Sequence, residues 1–228
     1  MKAVCLISGG IDSPVAAQIS ISNGFQPILL HYHNYPFHSL GTLEKVVIIS
    51  NKLAERNAEM EIVLAIVPHG KSQEIILNSL NDNEKRYTCL LCRLQMFIKA
   101  QAFAKNIGAE LIITGEILGE QASQTLDNLP IVTSKVDITV LRPLLGYNKE
   151  EVISLSRKWN LYNSSILPGG CCSINPRYPV TKGNIDFVEK IYERESVKLN
   201  SIIQEELKHI HQFPLPVEID NVLEVIEV

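Results

Sequence analysis

Long hydrophobic runs are absent from this sequence of 228 residues, because no apolar stretch approaches the roughly 18 residues that cross a membrane. No secretory signal pattern precedes the first apolar segment, so we expect a cytoplasmic protein with no membrane partner. An excess of positive charge is lacking as well: 21 Lys and Arg stand against 25 Asp and Glu, which gives a net charge of −4. This balance excludes nucleic-acid binding through bulk charge, but it leaves room for a local basic patch.

Two well-known nucleotide motifs are also missing from the glycine turn near the N-terminus. This turn, SGGIDS at residues 8–13, has neither the Gly-Lys-Ser/Thr of a Walker loop nor a Gly-x-Gly-x-x-Gly pattern. It lies between an apolar segment with strand composition and a segment with helical composition. Such a turn directs backbone N–H groups and a helix N-terminus at an anion, and glycine lets a phosphate approach closely. We therefore expect phosphate contacts from Ser8, Gly9, Gly10, Asp12 and Ser13.

The start of the following helix carries its own signals. Asp12 or Ser13 is a suitable N-cap, and Pro14 fits the first helical turn. A glycine turn that merely closes a strand–helix unit is the alternative interpretation. The full six-residue pattern at this place favours the phosphate site.

Apolar strand-like segments alternate with amphipathic helical segments along most of the chain, which predicts a doubly wound α/β fold. We expect a mostly parallel, five-stranded sheet with strands at residues 3–7, 27–32, 60–67, 111–114 and 140–143. Helices are predicted after residue 12 and at residues 43–56, 72–80, 94–108 and 149–159. Residues 1–182 would form this domain, and residues 183–228 would add a helical appendage, with a helix over 185–211 and then a strand or short arm.

Ligands of such a sheet bind beyond the carboxyl ends of its strands, and two predicted strands deliver polar residues there. Histidines and aromatic residues follow the second strand, while small and polar residues follow the fourth. We expect these positions to hold a base and a sugar: His31, His33, Thr114, Gly115, Gln121 and Gln124. A histidine-rich packing loop is an alternative for the first group, and scaffold hydrogen bonding by Glu116, Gln121 and Gln124 is an alternative for the second. Arg142 should face either the site or a carboxylate.

Cysteine is sparse, with five residues in the chain, and four of them fall in two pairs. Reduced thiols or cluster ligands are the interpretations that suit the Cys89-x-x-Cys92 pair. This pair is predicted to lie just before a helix, where the helix dipole and Arg93 should lower the thiol pKa. Cys171 and Cys172 lie in a glycine-rich loop that the fold could bring across the site.

Taken together, these motifs resemble a known family. The six-residue turn looks like the pyrophosphatase loop, or PP-loop, of the ATP pyrophosphatases, whose fold is adenine nucleotide alpha hydrolase-like. Five further segments resemble the PP-loop domain of the tRNA 4-thiouridine synthases, the ThiI family, in order over roughly residues 1–182: HYHNYPF (31–37), CRLQM (92–96), TGEILGEQASQT (114–125), VLRPL (140–144) and CCSI (171–174). The ferredoxin-like and THUMP region and the rhodanese domain of family members have no counterpart in this sequence.

The resemblance implies an ATP-dependent tRNA sulfurtransferase. Such an enzyme adenylates a uridine carbonyl oxygen, a sulfur nucleophile then replaces that oxygen, and pyrophosphate and AMP are released. Mg²⁺ would help to neutralise the phosphates, with Asp12 coordinating the ion or orienting the loop; simple helix capping by Asp12 is the alternative. The tRNA would be held with a separate RNA-binding partner or through a dimer, and sulfide or a persulfide would donate the sulfur.

The cysteines leave several chemistries open. Three ligands, Cys89, Cys92 and Cys171, would leave one iron of a 4Fe–4S cluster open to exogenous sulfide, and Cys172 is the alternative third ligand. The resemblance supports this cluster; a persulfide and disulfide relay, a zinc site and inert packing are the other interpretations. The expected catalytic residues are Asp12, Cys89, Cys92 and Cys171. A PP-loop enzyme that thiolates or amidates another acceptor, and a non-catalytic nucleotide-binding subunit, are the competing functions.

Overall fold

A computed structural model describes residues 1–169 and 172–226, and its centre is a six-stranded sheet in the order β5-β4-β1-β2-β3-β6. The strands are β1 Lys2–Leu6, β2 Gln26–His33, β3 Val63–Pro68, β4 Leu111–Ile113, β5 Thr139–Leu141 and β6 His211–Pro214. Strands β1 to β5 pair in parallel, whereas β6 pairs antiparallel with β3. The doubly wound, mostly parallel sheet is therefore confirmed.

Helices cover both faces of the sheet. They are α1 Asp12–Ser22, α2 Leu40–Arg56, α3 Gly70–Ser79, α4 Thr88–Ile107, α5 Asn128–Val132, α6 Lys149–Lys158, α7 Tyr162–Ser165, α8 Ile185–Lys208 and α9 Ile219–Leu223. Successive side chains of a strand point to opposite faces, so β1 contributes Ala3 and Cys5 to one hydrophobic core and Val4 to the other. Helices α1, α2 and α6 pack on the first core, and α3, α4 and α8 pack on the second. Within the described residues, no helix is long and apolar enough to cross a bilayer.

The prediction of five strands is wrong, because β6 adds a sixth strand at the edge of the sheet. The sequence predicts a helix as far as residue 211 and a strand or short arm from residue 214. Helix α8 instead ends at Lys208, and the next residues pair with β3. A strand of only four residues gives little apolar signal of its own. What makes it a strand is its pairing with β3, which lies far away in the sequence. The division into residues 1–182 and 183–228 remains a prediction.

Helix α4 begins six residues earlier than predicted, at Thr88 instead of residue 94. Leu90 and Leu91 in this extra length are almost fully buried in the core beneath α8. Tertiary packing therefore extends the helix over a segment without a strong N-cap signal. The consequence is that both residues of the Cys-x-x-Cys pair belong to the first two turns of α4.

Candidate active site

A cavity of about 330 Å³, within the usual size range of ligand pockets, opens beyond the carboxyl ends of β1, β2 and β4. Its walls come from the loop after β1, the start of α1, helix α4 and the loop after β4. It collects most of the residues predicted to hold a nucleotide: Ser8, Gly10, Asp12, Ser13, Thr114, Gly115, Gln121 and Gln124. Gly9, His31 and His33 lie outside this lining.

Hydroxyl groups organise the glycine turn. The Ser8 backbone N–H donates to the Ser13 Oγ at 2.8 Å, and the two serine Oγ atoms are 2.9 Å apart. The Gly10 N–H donates to the Ser8 Oγ at 3.3 Å. Among the described residues, no side chain caps the N-terminus of α1, where Ile11 is the N-cap. The prediction that Asp12 or Ser13 caps this helix is wrong, and the first N–H groups of α1 are left facing the cavity for an anion.

Asp12 forms an ion pair with the first residue of α6. The Lys149 Nζ lies 2.8 Å and 3.0 Å from the two carboxylate oxygens of Asp12, and it also pairs with Glu120 at 3.1 Å. Burial raises the pKa of Asp12, while the ammonium of Lys149 opposes that shift. The sequence identified Lys149 only as the start of an amphipathic helix, and a partner 137 positions away leaves no local signal.

Gly115 follows β4 at a point where a side chain has no room. A Cβ built at this position would lie 2.6 Å from both the N and the Cα of Ser13. The backbone after β4 therefore packs directly on the first turn of α1. Glycine is required here by this close approach rather than by a special backbone angle.

Glu116, the residue after Gly115, is 1 % exposed and accepts hydrogen bonds from three side chains. Its Oε1 accepts from Arg93, its Oε2 accepts from the Arg142 Nε at 2.6 Å, and the Thr114 hydroxyl donates to Oε2 at 3.0 Å. Burial would raise the pKa of Glu116, but the two guanidinium groups lower it below its usual range. The expectation that Arg142 faces a carboxylate is confirmed.

Arg93 contributes in a way that the sequence did not indicate. It lines the cavity, and its buried Nε has no partner among the described residues. A buried guanidinium N–H without an acceptor is costly, so a phosphate or carbonyl oxygen in the cavity would satisfy it. The Nη2 of Arg142 is in the same state.

The histidines after β2 occupy different environments. The Nδ1 of His31 lies 3.2 Å from the Ile7 carbonyl oxygen, and burial lowers the pKa of His31 to about 4. The ring of His33 stacks on Tyr35 with 6.3 Å between the ring centroids, away from the cavity. His38, which was not predicted, lines the cavity, and its buried Nε2 lacks a partner among the described residues.

Two of the cysteine side chains lie in the first two turns of α4. Cys89 and Cys92 lie one turn apart on this helix, and the Cys89 Sγ donates to the Asn175 Oδ1 at 3.7 Å. The latter contact brings the chain after residue 172 beside the pair. The predicted catalytic and metal-binding residue Cys171 lies outside the described residues.

The expected lowering of the thiol pKa values is wrong. Burial raises the pKa of Cys89 and the nearby Cys172 adds to this shift, against an opposing effect of Arg93. Burial also raises the pKa of Cys92 to about 11, although a hydrogen bond from Gln73 acts in the opposite direction. Desolvation of Cys89 therefore exceeds the opposing effect of Arg93 on its pKa. No group of three His, Cys, Asp or Glu side chains in the described chain is already arranged around a metal position.

The parallel sheet, the glycine turn and the cavity at the strand ends define a PP-loop α/β domain. The family model described as "Thiamine biosynthesis protein (ThiI)" matches residues 1–197, so the chain belongs to the ThiI family.

Relatives and solved structures agree with this assignment. A probable tRNA sulfurtransferase of Acholeplasma laidlawii is 35% identical over 211 residues, which are 92% of this chain and 50% of the relative. Another, of Thermococcus kodakarensis, is 36% identical over 84% of this chain and 49% of its own. The crystal structure of a 4-thiouridine synthetase–RNA complex with bound ATP matches with a TM-score of 0.87 at 32% identity, covering 93% of this chain and 55% of that one. NMN synthetase of Francisella tularensis, at 14% identity and a TM-score of 0.53, shares the fold alone. The chain spans about half the length of the curated relatives that it matches.

Proposed function

We propose that this chain is the catalytic part of an ATP-dependent tRNA sulfurtransferase that makes a 4-thiouridine-type modification. The uridine carbonyl oxygen attacks the α-phosphorus of ATP and pyrophosphate leaves. A sulfur nucleophile then attacks the same uridine carbon, and AMP leaves with the oxygen. The observation that carries this proposal is the cavity that is lined both by the uncapped start of α1 and by Arg93, whose Nε has no partner among the described residues. The ATP-bound 4-thiouridine synthetase supports it through the shared fold and 32% identity.

The phosphates are held mainly by backbone groups. Ser8, Gly10 and Ser13 would surround the pyrophosphate with N–H and O–H donors, and the N-terminus of α1 adds a favourable dipole. Mg²⁺, when bound with ATP, supplies further charge neutralisation at the phosphates. The carboxylate of Asp12 has the oxygen ligands that Mg²⁺ prefers, and Lys149 beside it adds a cation to the same corner.

Base and ribose would contact the loop after β4 through Thr114, Gly115, Gln121 and Gln124, which line the cavity opposite the glycine turn. We keep His31 and His33 as candidate contacts. Their effect on the nucleotide would be indirect, because His31 lies against the Ile7 carbonyl just after β1 and His33 stacks on Tyr35.

Sulfur chemistry would take place at the thiols. Cys172 raises the pKa of both Cys89 and Cys92, so the three thiols lie near one another, and soft donors of this kind suit an iron–sulfur cluster. Cys171 is the other candidate for the third ligand. Three of these thiolates would hold a 4Fe–4S cluster, which when bound would supply an iron able to accept sulfide; a persulfide on one of these cysteines is the alternative sulfur carrier.

A tRNA is much larger than this cavity, so it must also bind to protein surface outside it. We infer that tRNA binds together with a separate RNA-binding partner or across a dimer, because the net charge of −4 provides no general attraction for its phosphate backbone. Sulfide or a persulfide is the sulfur donor, and the reaction belongs to the cytoplasm, where tRNA is modified.

The test is an anaerobic incubation of the full chain with ATP, sulfide and unmodified tRNA, followed by mass spectrometry of the nucleosides. We expect 4-thiouridine together with equal amounts of AMP and pyrophosphate. Cys92→Ser should abolish thiouridine, whereas the control Cys5→Ala, at a buried core position, should leave it unchanged. Pyrophosphate release that needs no tRNA and survives Cys89→Ala would instead favour an enzyme with another acceptor, and no release under any condition would favour a nucleotide-binding subunit.

A further inference from the structure

A continuous line of buried polar groups joins the C-terminal helix α8 to the thiols. Glu206 of α8 is 2 % exposed and Lys99 of α4 is 0 % exposed, and the two form an ion pair. The Lys99 Nζ also donates to the Pro68 carbonyl oxygen at 3.3 Å and lies 2.7 Å from the His69 Nδ1. An ammonium group has three N–H donors and no acceptor. Each donor of Lys99 therefore has one acceptor: a carboxylate, a carbonyl and an imidazole nitrogen.

This arrangement fixes the tautomer of His69. Because the ammonium of Lys99 donates to Nδ1, that nitrogen is an acceptor and carries no hydrogen. A ring with no hydrogen on Nδ1 is neutral, and its one N–H hydrogen is on Nε2. The Nε2 lies 3.3 Å from the Cys92 Sγ. The N–H of His69 is consequently directed at the sulfur.

A second donor reaches the same sulfur atom. The Gln73 amide Nε2 donates to the Cys92 Sγ at 3.2 Å, so Cys92 accepts two hydrogen bonds from largely buried side chains. Cys89, one turn away, is different, because its own Sγ donates to Asn175. The two thiols of the Cys-x-x-Cys pair thus have opposite hydrogen-bonding roles.

The Glu206 carboxylate, at the α8 end of this line of polar groups, is held by two further hydrogen bonds. Glu206 Oε1 accepts the Ser72 backbone N–H at 3.2 Å, and Oε2 accepts the Ser72 hydroxyl. Ser72 lies in the first turn of α3, where the helix dipole favours an anion. Glu206 therefore connects α8 to the start of α3, and through Lys99 it holds the imidazole that follows β3.

We propose that Lys99 and Glu206 are positioning residues which act through His69 on the Cys92 sulfur. They hold the Nε2–H of His69 on this sulfur, so that Cys92, unlike Cys89, has two N–H donors that would offset the desolvation of an anionic sulfur, whether a cluster ligand or a persulfide. N–H···S hydrogen bonds are an established means of tuning both kinds of sulfur. The inference deepens the proposed sulfur transfer and rests on it for its biological purpose, but not for its geometry.

Nitrogen-15 spectra of the full chain labelled at histidine test the first step directly. We expect the wild-type His69 to be present as the neutral Nε2–H tautomer, with its signal assigned by the variant His69→Gln. The informative variant is Lys99→Met/Glu206→Leu, which removes both charges at once and so leaves no unpaired buried ion. Here His69 should change to a mixture of the two neutral tautomers.

The second readout is the rate at which iodoacetamide alkylates Cys92 in a chain whose other four cysteines are Ser. Loss of a hydrogen bond to a charged sulfur should slow this reaction about tenfold in Lys99→Met/Glu206→Leu. The matched control is Lys71→Met/Glu205→Leu, an exposed ion pair of 3.0 Å that joins α3 to α8 and includes the neighbour of Glu206. The control should leave both the tautomer and the rate unchanged.

A wild-type His69 that carries its hydrogen on Nδ1 would overturn the proposal, and this measurement needs no variant. A folded Lys99→Met/Glu206→Leu protein with the wild-type tautomer and the wild-type rate would overturn it as well. Neither readout uses ATP or tRNA. Failure to form thiouridine while both readouts behave as expected would therefore contradict the proposed function alone.

Discussion

Gly115 is the residue at which the smallest change should have the largest effect on nucleotide binding. In Gly115→Ala the new Cβ would meet the Ser13 backbone at 2.6 Å, so the start of α1 must move. We expect a loss of about 1–3 kcal/mol in the free energy of unfolding and at least a tenfold weaker binding of ATP. Thermal unfolding and calorimetric titration with ATP measure both effects. Gly146→Ala is the control, because a Cβ at that position meets nothing within 4 Å; equal behaviour of the two variants would contradict the prediction.

Glu116 is the second residue with a clear expectation, and it concerns pH. Its pKa is lower in the folded protein than in the unfolded chain, because burial is outweighed by Arg93 and Arg142. The stabilisation is therefore complete above the unfolded value of about 4.3 and is lost as the pH falls through the lower folded value. Glu116→Gln should cost about 1–3 kcal/mol at pH 7, because it leaves two partly buried guanidinium groups without their carboxylate.

Urea unfolding of the wild type and of Glu116→Gln from neutral to acidic pH tests this expectation. The difference in the free energy of unfolding between the wild type and Glu116→Gln should become smaller as the wild-type carboxylate becomes protonated. Glu205→Gln, at an exposed carboxylate, is the control and should follow the wild type throughout. If the difference in unfolding free energy does not change with pH, the charge of Glu116 is not the source of its stabilisation.

At the scale of elements, β6 protects the edge of the sheet. It covers β3 from Val63 to Ile66, a strand whose central residues are fully buried. Deletion of residues 209–228 would expose an apolar strand with unpaired backbone groups, which is a template for association. We expect the shortened chain to elute as oligomers in size-exclusion chromatography and to unfold at a lower temperature. A monomeric product with unchanged unfolding temperature would refute this role of β6.

The elements also show which features a sequence can predict. The glycine turn between β1 and α1 and the parallel strands depend on signals within a few residues, and the structure confirms both. Of the polar strand ends, the one after β4 lines the cavity, whereas His31 and His33 lie outside its lining. The start of α4 and the strand β6 were not, because packing against distant segments decides them. Asp12 with Lys149, and Lys99 with Glu206, are separated by 137 and 107 positions. Pairs of this kind become visible only when the fold has brought their helices together.

At the scale of the whole molecule, charge limits what the chain can bind by itself. With a net charge of −4 it lacks the surplus of Lys and Arg that attracts the phosphate backbone. We expect the isolated chain to bind tRNA with a dissociation constant of about 10⁻⁶ M or weaker at physiological salt. Fluorescence anisotropy with labelled tRNA, at two salt concentrations, measures this affinity. Nanomolar binding with a steep salt dependence would contradict the need for a partner or a dimer.

The backbone contact between Gly115 and Ser13 has a consequence for how the domain responds to a ligand. The first turn of α1 and the segment leading to Glu116 touch without any intervening side chain. Glu116 in turn accepts hydrogen bonds from Arg93 and Arg142. We therefore expect a ligand that displaces the start of α1 to alter the positions of these two arginines as well.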